Sequence, residues 1–449
     1  MKKLLALLAI LILHSSLLTT HADAQIRGNN ITVTIAPDHK DWTYTVGENI
    51  GFTVSVEKSG TLLDNAAISY EMGPEMYPDV KKDMTLKTGT TKITGKMKQP
   101  GVYRLKVTAH VGGKDYVNWS SAAVSPDKIQ PYAQCPKDFD EFWTKAIEEA
   151  RWTALEPHME FLPERSTADV NTYHVSFQND RWGRRVYAIL NVPAKPGKYP
   201  AILKVPGAGV RPYGGDEGLC KKGVIVLEIG IHGIPVTKEQ EYYDNLRQGC
   251  LDGYWLFGSN NRDRSYYKHV VTGCIRAIDF LETLGNANGA TQSANTQQPS
   301  ANTQWDKQNL GVCGSSQGGF LTLATTALDK RVSCYAPVHA AMCDHEASLH
   351  KVGCGWPHIF YNVANPDKAE IECMRYYDGV NFARRITVPG WFSFGYNDDV
   401  VAPTSMIATY NVAGGDKMFS PYQQTAHFWY QEQYDEWFDF LLKKLGVNK

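Results

Sequence analysis

The chain has 449 residues, with 46 Lys and Arg against 47 Asp and Glu and a formal net charge of −1. So balanced a chain offers no electrostatic footprint for nucleic acid or an anionic membrane surface. Its length supports an ample core, which excludes a scaffold held together mainly by disulfides, although nine cysteines are present.

Lys2-Lys3 precede an apolar run over 4–13, and a polar stretch then ends in Ala22-Asp23-Ala24. A basic start, an apolar segment too short to span a bilayer and an Ala-x-Ala end form the pattern of a secretory signal peptide over 1–24. The expectation is an exported protein, periplasmic or secreted, cut near Ala24. No later run has the length and lack of charge that a membrane span needs. All nine cysteines lie between Cys135 and Cys373, and the odd number leaves at least one free or paired between chains. Cys313 and Cys334 lie in apolar runs and read as small buried hydrophobes. Cys343 and Cys354 are near enough to bridge across a loop.

Over 25–125, Ile31-Val33-Ile35, Ile50-Phe52-Val54-Val56 and Val102-Tyr103-Leu105-Val107 alternate with polar residues, and turn residues separate them. Several short strands of this kind predict an immunoglobulin-like β-sandwich. Asp38, His39 and Asp41 carry metal-ligand side chains but read as a polar loop. From 126 the pattern changes to alternating strands and helices. A helical stretch opened by Pro136 carries Phe139, Phe142-Trp143 and Ile147 on one face. Apolar strands include Val186-Ile189-Leu190, Ala201-Ile202-Leu203-Val205 and Val224-Ile225-Val226-Leu227, and a helix follows near 266–284. This alternation predicts an α/β domain over 126–449 with a mainly parallel sheet covered on both faces. The segment 286–304, rich in Asn, Gln, Ala, Thr and Ser, reads as an exposed, mobile insertion.

Leu310-Gly311-Val312-Cys313 runs into Gly314-Ser315-Ser316-Gln317-Gly318-Gly319, and a helix-compatible segment follows. A strand, Gly-x-Ser-x-Gly and a helix in succession form a nucleophile elbow, which exposes Ser316 where a base can take its proton. The orienting acid is sought next in the chain and the base last. Asp398 and Asp399 follow a strand-like run over 388–395, and Asp398 is preferred, with Asp399 as a solvated loop charge. His427 follows, just before a last amphipathic helix carrying Tyr430, Tyr434, Trp437-Phe438 and Leu441, and is the expected base. His232, His339, His345 and His358 read as structural histidines first and as pocket lining second. The oxyanion hole is expected from the N–H groups of Gln317 and of Ala208, in the Pro206-Gly207-Ala208-Gly209 loop after an early strand.

Cys135-Pro136-Lys137-Asp138-Phe139-Asp140-Glu141-Phe142-Trp143, the Ser316 elbow, and Tyr376-Tyr377-Asp378-Gly379-Val380-Asn381-Phe382-Ala383, which continues through Pro389 and 395–405, together carry a family likeness. Over 130–449 the chain resembles the acetyl xylan esterase/cephalosporin-C deacetylase group, carbohydrate esterase family 7. That resemblance implies an α/β-hydrolase that removes acetyl groups from sugars, often small oligosaccharides, without metal or organic cofactor. By it Ser316 is nucleophile, Asp398 acid, His427 base, and Gln317 and Ala208 oxyanion donors. It also implies a homo-oligomer, since family members often form ring-like hexamers. Three features depart from the family. Pro206-Gly207-Ala208 replaces a His-Gly-Tyr-like loop, Phe428 replaces a Glu after the base, and the N-terminal β domain is additional. The expected function is an exported serine esterase of acetylated oligosaccharides acting through an acetyl-enzyme. Two alternatives share the sequence features: a prolyl-oligopeptidase-type serine peptidase and a catalytically silent glycan-binding protein.

Overall fold

The structure, a computed structural model, describes residues 30–285 and 303–447. The expected signal peptide and all of the 286–304 segment except Thr303 and Gln304 lie outside the described residues. Those two are strand residues rather than loop: they open Thr303–Ser315, where Gly197 and Lys198 pair with them. The chain divides into two units between Ser125 and Pro126.

The first unit is all β. One sheet contains Ile31–Pro37, Ile50–Lys58, Thr61–Leu62 and Thr90–Gly95, and the other runs in the order Thr43–Tyr44, Lys114–Val124, Gly101–Val111, Ala66–Pro74, Val80–Leu86. Their alternate residues meet in one core, where Phe52, Val54 and Val56 of one sheet join Leu105, Val107 and Ala109 of the other. His39 is held there by Thr43 O at 2.7 Å and stacks on Tyr44, as a loop residue does.

The second unit is an α/β-hydrolase fold with nine strands among the described residues. These are β1 (His158–Phe161), β2 (Val170–Gln178), β3 (Arg185–Pro193), β4 (Gly197–Lys204), β5 (Ile225–Ile229), β6 (Thr303–Ser315), β7 (Cys334–Val338), β8 (Gly390–Phe394) and β9 (Lys417–Pro421). They lie in the order β1-β2-β3-β5-β4-β6-β7-β8-β9, antiparallel through the β3–β5 pair and parallel from β5 onwards. Helices α1 (Phe139–Arg151), α2 (Tyr266–Leu281), α3 (Gln317–Leu328) and α4 (Gln431–Lys444) are the main cover. Helix α1 begins at Phe139, three residues after Pro136, and buries Phe142 and Trp143. Ile202, Val226, Cys313 and Ala336 share a cluster with Trp437, Phe438 and Leu441 of α4. The adjacent Leu203, Leu227, Val312 and Tyr335 are equally buried, so both faces are covered. That is why these strands are apolar without alternation.

None of the nine cysteines is joined in a disulfide. The Cys343–Cys354 bridge does not form: Cys343 bonds Ala341 O at 3.2 Å, and Cys354 accepts from Ser348 Oγ at 2.7 Å. Burial suits Cys313 and Cys334 as small apolar groups and pushes both thiols up to about 12.

A buried acidic knot fastens the start of this unit. Asp344 Oδ1 accepts from the N–H groups of Tyr132 and Ala133, both at 2.8 Å, and Asp378 accepts from those of Asp344 and His345 at 2.9 and 2.8 Å. Burial first, then the charge of Asp378, pushes Asp344 up to about 8. The folded state therefore holds a proton that the unfolded state releases between the ordinary carboxylate range and pH 8, so stability falls as pH rises through that window. Asp344→Asn keeps the accepting oxygen and removes the titration. Its melting temperature should exceed that of the parent at pH 8.5, with the gain shrinking steadily towards pH 4. A difference independent of pH would show that Asp344 stays ionised.

Candidate active site

Strands β4 and β6 to β9 run parallel, so their carboxyl ends lie along one edge, where ligand sites of open α/β sheets collect. Strand β6 ends at Ser315 and α3 begins at Gln317, which leaves Ser316 alone to make the turn, at φ 61° and ψ −124°. A side chain at positive φ costs about 1–3 kcal/mol and persists only where its surroundings fix it. Here Ser316 N–H donates to Val338 O at 2.9 Å, and Ser316 O accepts from Gly319 and Ala341 N–H at 2.8 and 3.0 Å. The turn also needs Gly318, since a Cβ there would lie 2.4 Å from Val205 O.

Two other strand exits bring in Asp398 and His427. Asp398 follows β8 and is fully buried, whereas Asp399 is exposed. The segment before His427 is tied to the acid's loop by Asn397 N–H on Thr425 O at 3.2 Å and Asn397 Nδ2 on Gln424 O at 3.3 Å. His427 Nδ1 meets Asp398 Oδ2 at 2.8 Å, and Oδ1 accepts from Val400 and Val401 N–H at 2.9 and 2.8 Å. A carboxylate facing Nδ1 selects the Nδ1–H tautomer, which leaves His427 Nε2 as a proton acceptor.

A second histidine shares the carboxylate. His339, the first residue after β7, places Nδ1 3.0 Å from the same Asp398 Oδ2 and is buried. Its ring lies 5.2 Å from that of His427, centroid to centroid. Burial alone would push Asp398 up, but hydrogen bonds from His339 and His427 outweigh it and hold the acid well below the usual carboxylate range. His339, first read as a structural histidine, thus belongs to the site. The available signal was its place at the end of an apolar strand. Ligand atoms of His339, Asp398 and His427 lie within 4.8 Å of one another. Their 2.8 and 3.0 Å contacts are hydrogen-bond distances, which account for the cluster as an acid with two donors.

The loop after β4 closes the site from another side. A Cβ on Gly207 would lie 3.8 Å from Ser316 Cβ, so this loop passes beside the elbow. The Gln317 side chain, fully buried, cross-ties the two. Its Oε1 accepts from Tyr254 and Tyr267 hydroxyls at 2.7 and 2.8 Å, and its Nε2 donates to Pro206 O at 3.3 Å. Tyr254 Oη also accepts from Gly209 N–H at 3.3 Å. His232, likewise first read as structural, contacts Gly209 O through Nε2 at 3.0 Å and the Tyr266 hydroxyl through Nδ1 at 2.7 Å. Since a carbonyl only accepts, Nε2 carries the proton. Burial pushes His232 down to about 4, so the ring stays neutral at pH 7 and holds this tautomer.

Ser316, His427, Gly207 and Ala208 line one cavity of about 630 Å³, with Trp429 and Trp437 among its walls. A larger cavity of about 1000 Å³, lined by Arg181, Trp182, Arg264 and Tyr266 among others, includes none of Ser316, Asp398 or His427. Chemistry rather than volume therefore selects the smaller one.

A strained serine between strand and helix, an acid-held histidine and a glycine-rich loop at the carboxyl edge define the α/β-hydrolase class. The family model described as acetyl xylan esterase (AXE1) matches residues 124–444. The acetyl esterase Axe7A of Xylanibacter ruminicola is 34% identical over 428 residues, which cover 93% of this chain and 91% of that protein. That span takes in most of the N-terminal β unit as well. Among solved structures, the acetyl xylan esterase from Paenibacillus sp. R4 aligns with a TM-score of 0.58 and 23% identity, over 71% of this chain and 98% of its own. The acetyl xylan esterase 1 from Thermoanaerobacterium sp. gives 0.57 and 21%, over 71% and 97%. The chain belongs to the acetyl xylan esterase family and is a carboxylic-ester hydrolase. Among the described residues, no helix is long and apolar enough to cross a membrane.

Proposed function

We propose that this protein is an exported acetylesterase of xylan-type carbohydrate, with Ser316, His427 and Asp398 as its triad. The observation that carries this reading is the convergence of the Ser316 turn and the Asp398–His427 pair on one cavity. The acetyl xylan esterase family model and the name of the 34% identical relative support the acetyl ester, and the basic, apolar and Ala-x-Ala start supports export. In the first half-reaction Ser316 Oγ attacks the acetyl carbonyl as His427 Nε2 takes its proton, and Asp398 stabilises the imidazolium. The N–H groups of Gln317 and Ala208 receive the developing oxyanion. His427 then protonates the departing sugar oxygen and leaves an acetyl-enzyme. A water, activated by the same ring, releases acetate and restores Ser316.

The test is acetate release from acetylated xylo-oligosaccharides by the purified protein beside Ser316→Ala. Release should fall by at least about 10³-fold in the variant, with no cleavage of aminoacyl-proline substrates. Cleavage of aminoacyl-proline peptides would favour the peptidase. The described N-terminal strands argue against that, since they form two facing sheets and not propeller blades. Absence of any Ser316-dependent hydrolysis would point to the silent binding protein.

A further inference from the structure

We propose that Trp429 and the aromatic residues beside it form the surface that holds the sugar half of the ester. This rests on the reading that the alcohol released is a carbohydrate. His427 is followed at once by Phe428, Trp429 and Tyr430, which are 46%, 42% and 43% exposed. Three large rings in succession left open to water are costly, and such patches mark binding surfaces. Trp429 lines the cavity that Ser316 and His427 share, and Trp356 lines it too. Behind Trp429, the Trp437 ring packs edge to face at 6.1 Å, so the outer indole is backed by a fixed partner. Phe428 and Tyr430 pack on each other at 5.6 Å and continue the apolar surface along the chain.

The chemistry of the cavity selects the occupant. Its volume of about 630 Å³ far exceeds what an acetyl group fills, since about 30 Å³ corresponds to one water. The remainder must take the alcohol. Its walls combine aromatic rings with the charged groups of Arg211, Lys204 and Glu228. The Trp437 indole N–H is buried on that wall without a partner among the described residues, a donor that waits for an acceptor. A pyranose meets both demands. Its C–H faces lie against the negative face of an aromatic ring, while its hydroxyls reach fixed polar groups. A simple alkyl alcohol would meet only the first. Acting on the sugar half, Trp429 is a specificity residue for the ester's alcohol and takes no part in proton transfer.

The experiment compares kcat/KM for acetylated xylotriose with kcat/KM for ethyl acetate, in the parent, Trp429→Ala and Trp429→Phe. The ratio should fall at least about tenfold in Trp429→Ala, mainly through KM, and recover most of that loss in Trp429→Phe, whose ring still stacks. Unacetylated xylotriose should inhibit ethyl acetate hydrolysis by the parent, and much less by Trp429→Ala. An equal fall on both esters would overturn the proposal, because Trp429 would then only support the His339 ring, whose centroid lies 6.5 Å from its own. An unchanged ratio, with a shift from oligomer to monomer, would overturn it in favour of a contact between copies of this chain. A parent that hydrolyses only ethyl acetate but is inhibited by xylotriose would sink the deacetylase reading and leave the sugar surface standing. Failure of both release and inhibition would remove both.

Discussion

Asp398→Asn is expected to lower kcat on an acetyl ester about 10⁴-fold while leaving the protein folded. The magnitude follows from the geometry around the carboxyl group. Asp398 Oδ1 accepts from the N–H groups of Val400 and Val401, so an asparagine oxygen is fixed on that side. The new NH₂ then faces His339 and His427, where both rings now donate. Each histidine must turn its Nδ1 into an acceptor, which moves the His427 proton to Nε2. An imidazole protonated there cannot take the Ser316 proton. Flipping the amide offers no escape, since it would set NH₂ against two backbone donors. The sharing of one oxygen by two histidines makes this substitution more severe than the loss of one orienting bond. Asp399→Asn is the control, because that carboxylate is exposed one residue away and should retain activity. The measurement is kcat on p-nitrophenyl acetate, with melting temperature recorded beside it. A loss below about tenfold in Asp398→Asn, against the much larger effect a triad acid shows, would remove Asp398 from the role of orienting acid.

How far the sequence was legible depended on the range of the interactions. The Ser316 elbow is local: a strand, one strained residue and a helix lie within a few positions, so its glycines and apolar run announced it. The sheet was legible for the same reason, because burial on both faces writes itself as continuous apolar strands. Chain order pointed to Asp398 and His427, and the preference for Asp398 over Asp399 agrees with their burial, since Asp398 faces inward and Asp399 is exposed. His339 could not be assigned, since its partner is 59 positions away and the residues between them carry no periodicity that links them. The same holds for Gln317: its backbone N–H could be named from the motif, but its side-chain partners Tyr254 and Tyr267 come from other segments. Thr303 and Gln304 have the composition of the low-complexity stretch before them. Only the pairing with Gly197 and Lys198 makes them strand.

That Gln317 side chain carries the second large expected effect. Gln317→Leu should lower kcat about 10²-fold with little change in KM, although the proposed N–H donor of residue 317 remains. The two halves of the proposed oxyanion hole are on different elements, α3 and the loop after β4. Their spacing is held by Gln317 Nε2 on Pro206 O and by Tyr254, which bonds both Gln317 Oε1 and Gly209 N–H. Leucine removes every one of Gln317's side-chain bonds and leaves the Tyr267 hydroxyl buried without its partner. A shift of about 1 Å in a positioned group is worth about 10²-fold in rate, which sets the size. Because the oxyanion exists only in the transition state, the loss belongs in kcat rather than in substrate binding. Tyr254→Phe keeps the Tyr267 and Pro206 bonds and should cost less, about tenfold, as only part of that tie is lost. The outcome that defeats this account is a lowered melting temperature with kcat unchanged in Gln317→Leu. The network would then stabilise the fold without setting the distance between the two donors.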